Sequence, residues 1–377
     1  MAGIFDYITW RGDLSFETVP FNVVDSIILT HISYFPFDRI VPGPEDKKSI
    51  TIAEAAKKVS NILKRRPDAF TDKLIFRDDL ALLAALGAGE RYRNIELCGY
   101  VNQIDPEAEK QFSALTLLDR SGISLIAYRG TDDTIVGWKE DFNMSFSPVI
   151  PAQREAVSYL EIMAPGIRGA LRLGGHSKGG NLAVYAAAFC KKNIRRRIQA
   201  VYSNDAPGFN QTIIESPGFL EIKDRILSLV PQSSIVGMLF EHDENYIVVK
   251  SNQTGLMQHN VFSWEVGRDD VVRMKKTKPE KLFVNRTLRE WLNGLEKEER
   301  RRLSDVLYEI LISANTGSMR KLGNDWLKNV SPMIRAYNGI DESTKKFILK
   351  TISAFFKAAR NNINILIPGP GKEDIRA

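Results

Sequence analysis

The stretch Ala170-Leu171-Arg172-Leu173-Gly174-Gly175-His176-Ser177-Lys178-Gly179-Gly180-Asn181-Leu182-Ala183-Val184-Tyr185 decides how the rest of the chain is read. Residues 170–174 have the short apolar texture of a buried strand, and residues 181–190 form an Ala-rich apolar helix. Between them lies Gly175-His176-Ser177-Lys178-Gly179, a G-x-S-x-G sequence. Its serine needs a strand before it and a helix after it, because only a tight strained turn holds the hydroxyl up at the edge of a sheet. Both neighbours are present, so Ser177 is the expected nucleophile.

Working outward, the apolar periodicity divides the chain in two. Residues 20–37, 51–65, 77–88 and 151–166 have helical spacing, and 38–50 read as a loop around Pro42 and Pro44. Strands are expected at 95–101, 114–119, 123–128, 170–174, 199–203, 226–230 and 246–251, with a hairpin turn at Arg120-Ser121-Gly122. Strands alternating with helices at this spacing imply an α/β fold: a mostly parallel sheet covered on both faces. Beyond about residue 275 the strand texture stops. Segments 279–297, 300–314, 319–337 and 342–360 carry apolar stripes, with breaks at Gly317 and Gly339, as in a C-terminal all-α extension. The expected units are residues 1–270, a helical extension over 275–365, and a flexible tail over 366–377.

Charge follows the same division. The net +6 combines 22 Lys/Arg against 12 Asp/Glu over residues 271–377, which is +10, with 30 against 34 over residues 1–270, which is −4. Positives that alternate with apolar residues ordinarily form a solvated helix face, and the partner surface this charge allows is peripheral membrane contact through the basic C-terminal helices. Lys64-Arg65-Arg66 and Arg195-Arg196-Arg197 are too short and too far apart to call for nucleic acid. A chain of 377 residues with 44% hydrophobic and 26% charged residues is globular. Cys98 and Cys190 alone make neither a disulfide framework nor a thiolate zinc site, which fits a cytoplasmic protein. The first twenty residues do not read as a signal peptide, and no stretch approaches the roughly 18 apolar residues of a membrane span. Four scattered histidines make no short-spaced ligand group, so neither metal nor other cofactor is expected.

A nucleophilic serine needs a base and an acid that orients it. When the nucleophile sits on such a strand-to-helix turn, the partners follow in the chain order Ser, Asp or Glu, His, which removes His31 and His176. His259 lies just past the last strand, whereas His242 sits among charges in Glu241-His242-Asp243-Glu244, so His259 is the expected base. Asp205, directly after the first strand beyond the serine, is the expected acid, with Glu241 or Asp243 as alternatives. Two backbone N–H groups should hold the oxyanion: that of Lys178, after the nucleophile, and that of Thr131, where the strand 123–128 runs into Arg129-Gly130-Thr131. Residues 132–146 form either a cover over the site or an amphipathic connection. Trp138, Phe142 and His176 are the side chains expected to contact substrate.

These stretches resemble a family. Tyr128-Arg129-Gly130-Thr131, then Trp138 and Asp141, the Ser177 motif, and Asp205-Ala206-Pro207-Gly208-Phe209 resemble the successive motifs of the class-3, fungal-type lipases among the α/β hydrolases. Phe5-Asp6-Tyr7, Trp10-Arg11, Gln258-His259 and Phe262-Ser263-Trp264 are similar to its bacterial Mbeg-like branch, and the resemblance covers roughly residues 1–270. It implies an α/β-hydrolase fold and a lid over residues 132–147, and it departs at Ser234, where those lipases carry their acid. The function expected is hydrolysis of a carboxylic ester, lipid or otherwise apolar. A thioesterase, peptidase or acyltransferase would use the same serine, and a non-catalytic relative binding a membrane or partner through the basic helices is the reading from another class.

Overall fold

Every side chain of Leu125-Ile126-Ala127-Tyr128 is buried, and alternate residues enter two different cores. Leu125 and Ala127 pack with Leu115, Leu117, Tyr202 and Leu229 on one side, Ile126 and Tyr128 with Ala114, Leu173 and Val201 on the other. A strand with a period of two and both faces buried belongs at the centre of a covered sheet.

The computed structural model describes residues 2–71, 73–232, 234, 236, 246–274, 279–313 and 326–365. Its sheet has eight strands in sequential order: β1 (Ile50–Thr51), β2 (Glu96–Asp105), β3 (Lys110–Leu118), β4 (Ser124–Tyr128), β5 (Leu171–His176), β6 (Ile198–Asn204), β7 (Ile226–Pro231) and β8 (Tyr246–Val249). The pairings from β1 to β4 are antiparallel and those from β4 to β8 parallel. Helices α1 (Ile4–Arg11), α2 (Val23–His31), α3 (Ile52–Arg65), α4 (Asp79–Ala88) and α5 (Glu90–Arg93) contribute to the core on one face. After β4 comes α6 (Ile135–Asn143), which packs on β3. The other face is covered by α7 (Pro151–Met163), α8 (Lys178–Phe189), α9 (Lys192–Arg195), α10 (Gln211–Ile214) and α11 (Pro217–Ile222). Buried Ala183, Ala186, Ala187 and Ala188 keep α8 thin enough to lie between β5, β6 and the helices α7 and α11. A half-parallel sheet covered on both faces, with a serine on the sharp turn from β5 into α8, is the α/β-hydrolase arrangement.

The all-α part consists of α12 (Pro279–Asn293), α13 (Lys297–Ile312), α14 (Trp326–Gly339) and α15 (Glu342–Asn362). Leu295, Leu303 and Phe347 form its small core. Among the described residues no helix is long and apolar enough to cross a membrane.

Differences from the expected elements have local causes. The helix read over 20–37 ends at His31 and continues only as a 3-10 turn over Ile32–Tyr34, because Phe35 precedes Pro36 and is extended. Helix α8 starts three residues earlier than its apolar pattern, since Lys178-Gly179-Gly180 carry no apolar signal yet form its first turn. Of the segment expected at 319–337, residues 326–337 lie in α14, and residues 319–325, like the tail 366–377, lie outside the described residues.

Candidate active site

Ser177 caps α8 with φ 58° and ψ −135°, a conformation that costs an L-residue energy and persists only where the surroundings impose it. The surroundings are three glycines. A Cβ on Gly175 would stand 2.3 Å from the carbonyl carbon of Gly179, one on Gly179 2.1 Å from the Tyr128 carbonyl oxygen, and one on Gly180 2.7 Å from the Ala206 Cβ. Strands β4 and β5 and the first turn of α8 thus approach more closely than a methyl group allows. The Ser177 N–H donates to the Asn204 carbonyl at 2.9 Å, fixing the turn to the end of β6.

The next residue, Asp205, is buried, has φ 48°, and donates its N–H to the Leu229 carbonyl at 2.7 Å. Its Oδ2 lies 2.6 Å from His259 Nδ1, and its Oδ1 accepts the Ser234 hydroxyl. Ser234, following β7, therefore supports the carboxylate. The alternatives Glu241 and Asp243, and His242 with them, lie outside the described residues. His259 ends a 3-10 turn, Gly255–His259, held by the Trp264 indole N–H donating to the Gln258 carbonyl at 2.8 Å. The ring is about a quarter exposed, and its Nδ1 side is the one that faces the carboxylate.

His176, expected to contact substrate, is buried behind His259. Its Nε2–H donates to the His259 carbonyl at 2.7 Å, its ring centroid lies 4.3 Å from that of His259, and the Tyr34 hydroxyl is 3.0 Å from its Nδ1. Burial, then the neighbouring His259 and His31, hold its pKa well below the usual imidazole value, so it is a neutral support.

The loop after β4 lies over the serine. A Cβ on Gly130 would meet the Tyr34 hydroxyl at 2.2 Å, the His176 carbonyl oxygen at 2.5 Å and the Ser177 Cβ at 3.0 Å. Thr131, the next residue, donates its hydroxyl to Asp141 Oδ2 at 2.5 Å, which ties this loop to α6. Burial pushes the Asp141 carboxyl up to about 6, against the lowering effect of Lys178 and of the Thr131 hydrogen bond. The N–H of Lys178 opens α8, where an amide has no partner within the helix. The Lys178 side chain is buried and binds Glu140 Oε2 at 2.7 Å, Gln111 Oε1 at 2.8 Å and the Gln111 carbonyl at 3.1 Å. Glu140 also accepts the N–H groups of Gln111 and Ala152 at 3.1 and 2.9 Å. No sequence pattern announces this buried pair, because the position after Ser177 offers a local signal for its backbone alone.

Helix α6 is therefore anchored on its inner side by Glu140. On its outer side Phe142, expected to contact substrate, is partly buried against Leu295, Leu303 and Phe347. Within the segment 132–147, which the resemblance implies is a lid, α6 spans Ile135–Asn143 and is held from both sides, and its Trp138 ring is half exposed. Among the described residues no group of three or more His, Cys, Asp and Glu is placed to hold a metal ion.

No curated protein sequence matches the chain. Among solved structures it is similar to M37 lipase, at 16% identity and a TM-score of 0.35 over 57% of this chain and 69% of that one. It is also similar to the Rhizomucor miehei lipase in its propeptide complex, at 14% identity and a TM-score of 0.32 over 54% of this chain and 70% of the other. The Mbeg1-like family model matches residues 86–309, more than half of the chain, including Ser177, Asp205 and His259. The chain belongs to the Mbeg1-like family.

Proposed function

We propose that the protein is a serine hydrolase that cleaves carboxylic esters of lipid or other apolar acyl groups, with Ser177 as nucleophile, His259 as base and Asp205 as the acid that orients it. The observation that carries this reading is the 2.6 Å contact between His259 Nδ1 and a fully buried Asp205, beside a serine held at positive φ on the turn from β5 into α8. Ser177 Oγ attacks the acyl carbon while His259 Nε2 takes its proton, and the oxyanion accepts the N–H groups of Thr131 and Lys178. Collapse of the tetrahedral species breaks the acyl C–O bond, and His259 returns the proton to the leaving alcohol. Water then attacks the acyl-enzyme, giving its proton to His259; the acyl C–Oγ bond breaks, the carboxylic acid leaves, and His259 returns the proton to Ser177 Oγ. No cofactor enters. The exposed Trp138 ring on α6 supplies apolar surface for the acyl chain.

The test is fluorophosphonate labelling of wild type and Ser177→Ala, with hydrolysis of p-nitrophenyl esters of increasing acyl length and of one thioester. Labelling lost in Ser177→Ala, with an optimum among the longer oxygen esters, supports the reading. A clear preference for the thioester moves it to that leaving group, and well-folded protein that neither labels nor hydrolyses overturns it.

A further inference from the structure

Helix α15 has two different faces. Thr344, Phe347, Thr351 and Ala358 are buried on one of them, where the Trp291 indole of α12 donates to the Thr351 carbonyl at 3.0 Å and Asn361 and Asn362 reach Glu290. An amphipathic helix packed this way should turn polar residues outward. Instead Leu349, Ile352 and Phe356 are 60%, 47% and 65% exposed, and Ile363, in the 3-10 turn that follows, is 49% exposed. At 3.6 residues per turn, Leu349, Ile352 and Phe356 fall within an arc of about 60°. The adjoining arc of about 80° on the same outward side holds Lys346, Lys350, Lys357 and Arg360, all exposed.

We propose that this outward face of α15 docks the protein on an anionic lipid surface. A row of large apolar side chains beside a row of long cations fits the boundary between headgroups and acyl chains: the rings and aliphatic groups enter, while Lys and Arg keep their charges among the phosphates. The basic flank selects the occupant. Anionic headgroups neutralise Lys346, Lys357 and Arg360, beside Lys350, which also reaches Glu299 at 3.0 Å, whereas a second copy of the same face brings more cations. The apolar row excludes a purely electrostatic partner, which would leave Leu349 and Phe356 in water. The docking helix is packed against the element beside the proposed site, since Phe347 on the inner face of α15 shares a core with Phe142 of α6, the helix that holds Thr131 through Asp141. The inference does not rest on the catalytic reading.

The full-length protein is sedimented with phosphatidylcholine vesicles with and without phosphatidylglycerol, at low and high salt, and its mass is followed by light scattering. Binding is expected only when phosphatidylglycerol is present, weakening about tenfold or more at high salt. Leu349→Glu combined with Phe356→Glu should abolish it, and Lys346→Glu combined with Lys357→Glu should weaken it about tenfold, with the circular dichroism spectrum and thermal transition unchanged. Ser177→Ala should bind as wild type does, so loss of catalysis and loss of docking are read separately. Wild type that stays in the supernatant, binding that both double variants retain, or a dimer that the apolar variant dissociates would each overturn the proposal.

Discussion

At the scale of single residues, Asp205→Asn leaves the volume of the acid in place while removing the charge that fixes the His259 tautomer, and turnover of a short p-nitrophenyl ester should fall by about four orders of magnitude. Ser234→Ala removes only the second hydrogen bond to the same carboxylate, and a loss of about tenfold is expected; equal losses in the two variants would refute the division of roles. Asp141 offers a pH test. Its folded pKa of about 6 stands above the ordinary 3.8, so between these values the folded protein holds a proton that the unfolded chain has lost, and stability falls as pH rises through that window. Asp141→Asn keeps an acceptor for the Thr131 hydroxyl and removes that component. The difference in melting temperature, variant minus wild type, should therefore grow between about pH 4 and about pH 6 and stay constant above it; a difference that is flat throughout refutes the buried charge. Ser177, Asp205 and His259 could be singled out from the sequence because a motif, a chain order and a count of four histidines left few alternatives, and the structure brings Asp205 to His259 at 2.6 Å. Tyr34 could not be singled out, since its contact with His176 spans 142 positions and no local pattern encodes it.

Between elements, the buried Lys178–Glu140 pair joins the turn from β5 into α8 to helix α6. Truncating one partner strands the other charge away from water, so Lys178→Met should cost about 3–5 kcal/mol in urea unfolding. Adding Glu140→Gln should restore half of that or more, because the amide still accepts one backbone N–H while no charge remains. Additive losses would show that the two side chains do not share one site. The elements themselves were read well where burial produces a period: the β3–β4 hairpin, the strands β5 to β7 and the body of α8 all carry continuous apolar texture. Reading failed where glycines replace apolar residues for the sake of close approach, as at the start of α8, and where a helix faces two partners. Phe142 and Trp138 look alike in the sequence as large apolar residues of a cover, yet one is partly buried against Leu295, Leu303 and Phe347 and the other is half exposed. Only the fold decides between them.

Across the whole molecule, the helical extension is coupled to the hydrolase sheet through α6. Arg300 donates to the Ser145 carbonyl at 2.6 Å, Ser304 to Asn143 at 3.0 Å, and Lys139 is paired with both Glu109 and Asp305 at 2.6 and 2.9 Å. Leu303 lies at the middle of this contact, sharing its core with Phe142. The division at about residue 270, read from charge and from the end of the strand texture, is one we propose for the covalent chain, while α13 rests on α6, which holds Thr131 through Asp141. The Mbeg-like resemblance, drawn from short motifs on either side of the serine, is matched by a family region that runs through β8 into α13. Leu303→Asp places a charge in the shared core and should release α13 from α6, lowering melting temperature by several degrees, as a loss of about 2–3 kcal/mol does in a chain of this size. If α6 needs that support to hold Thr131 over Ser177, turnover of a short soluble ester falls at least several-fold while KM changes little, because the oxyanion contact exists mainly in the transition state. A stable Leu303→Asp variant with wild-type turnover would instead separate the two parts, leaving Glu140 and Lys178 as sufficient anchors for α6 and the helices free to serve docking alone.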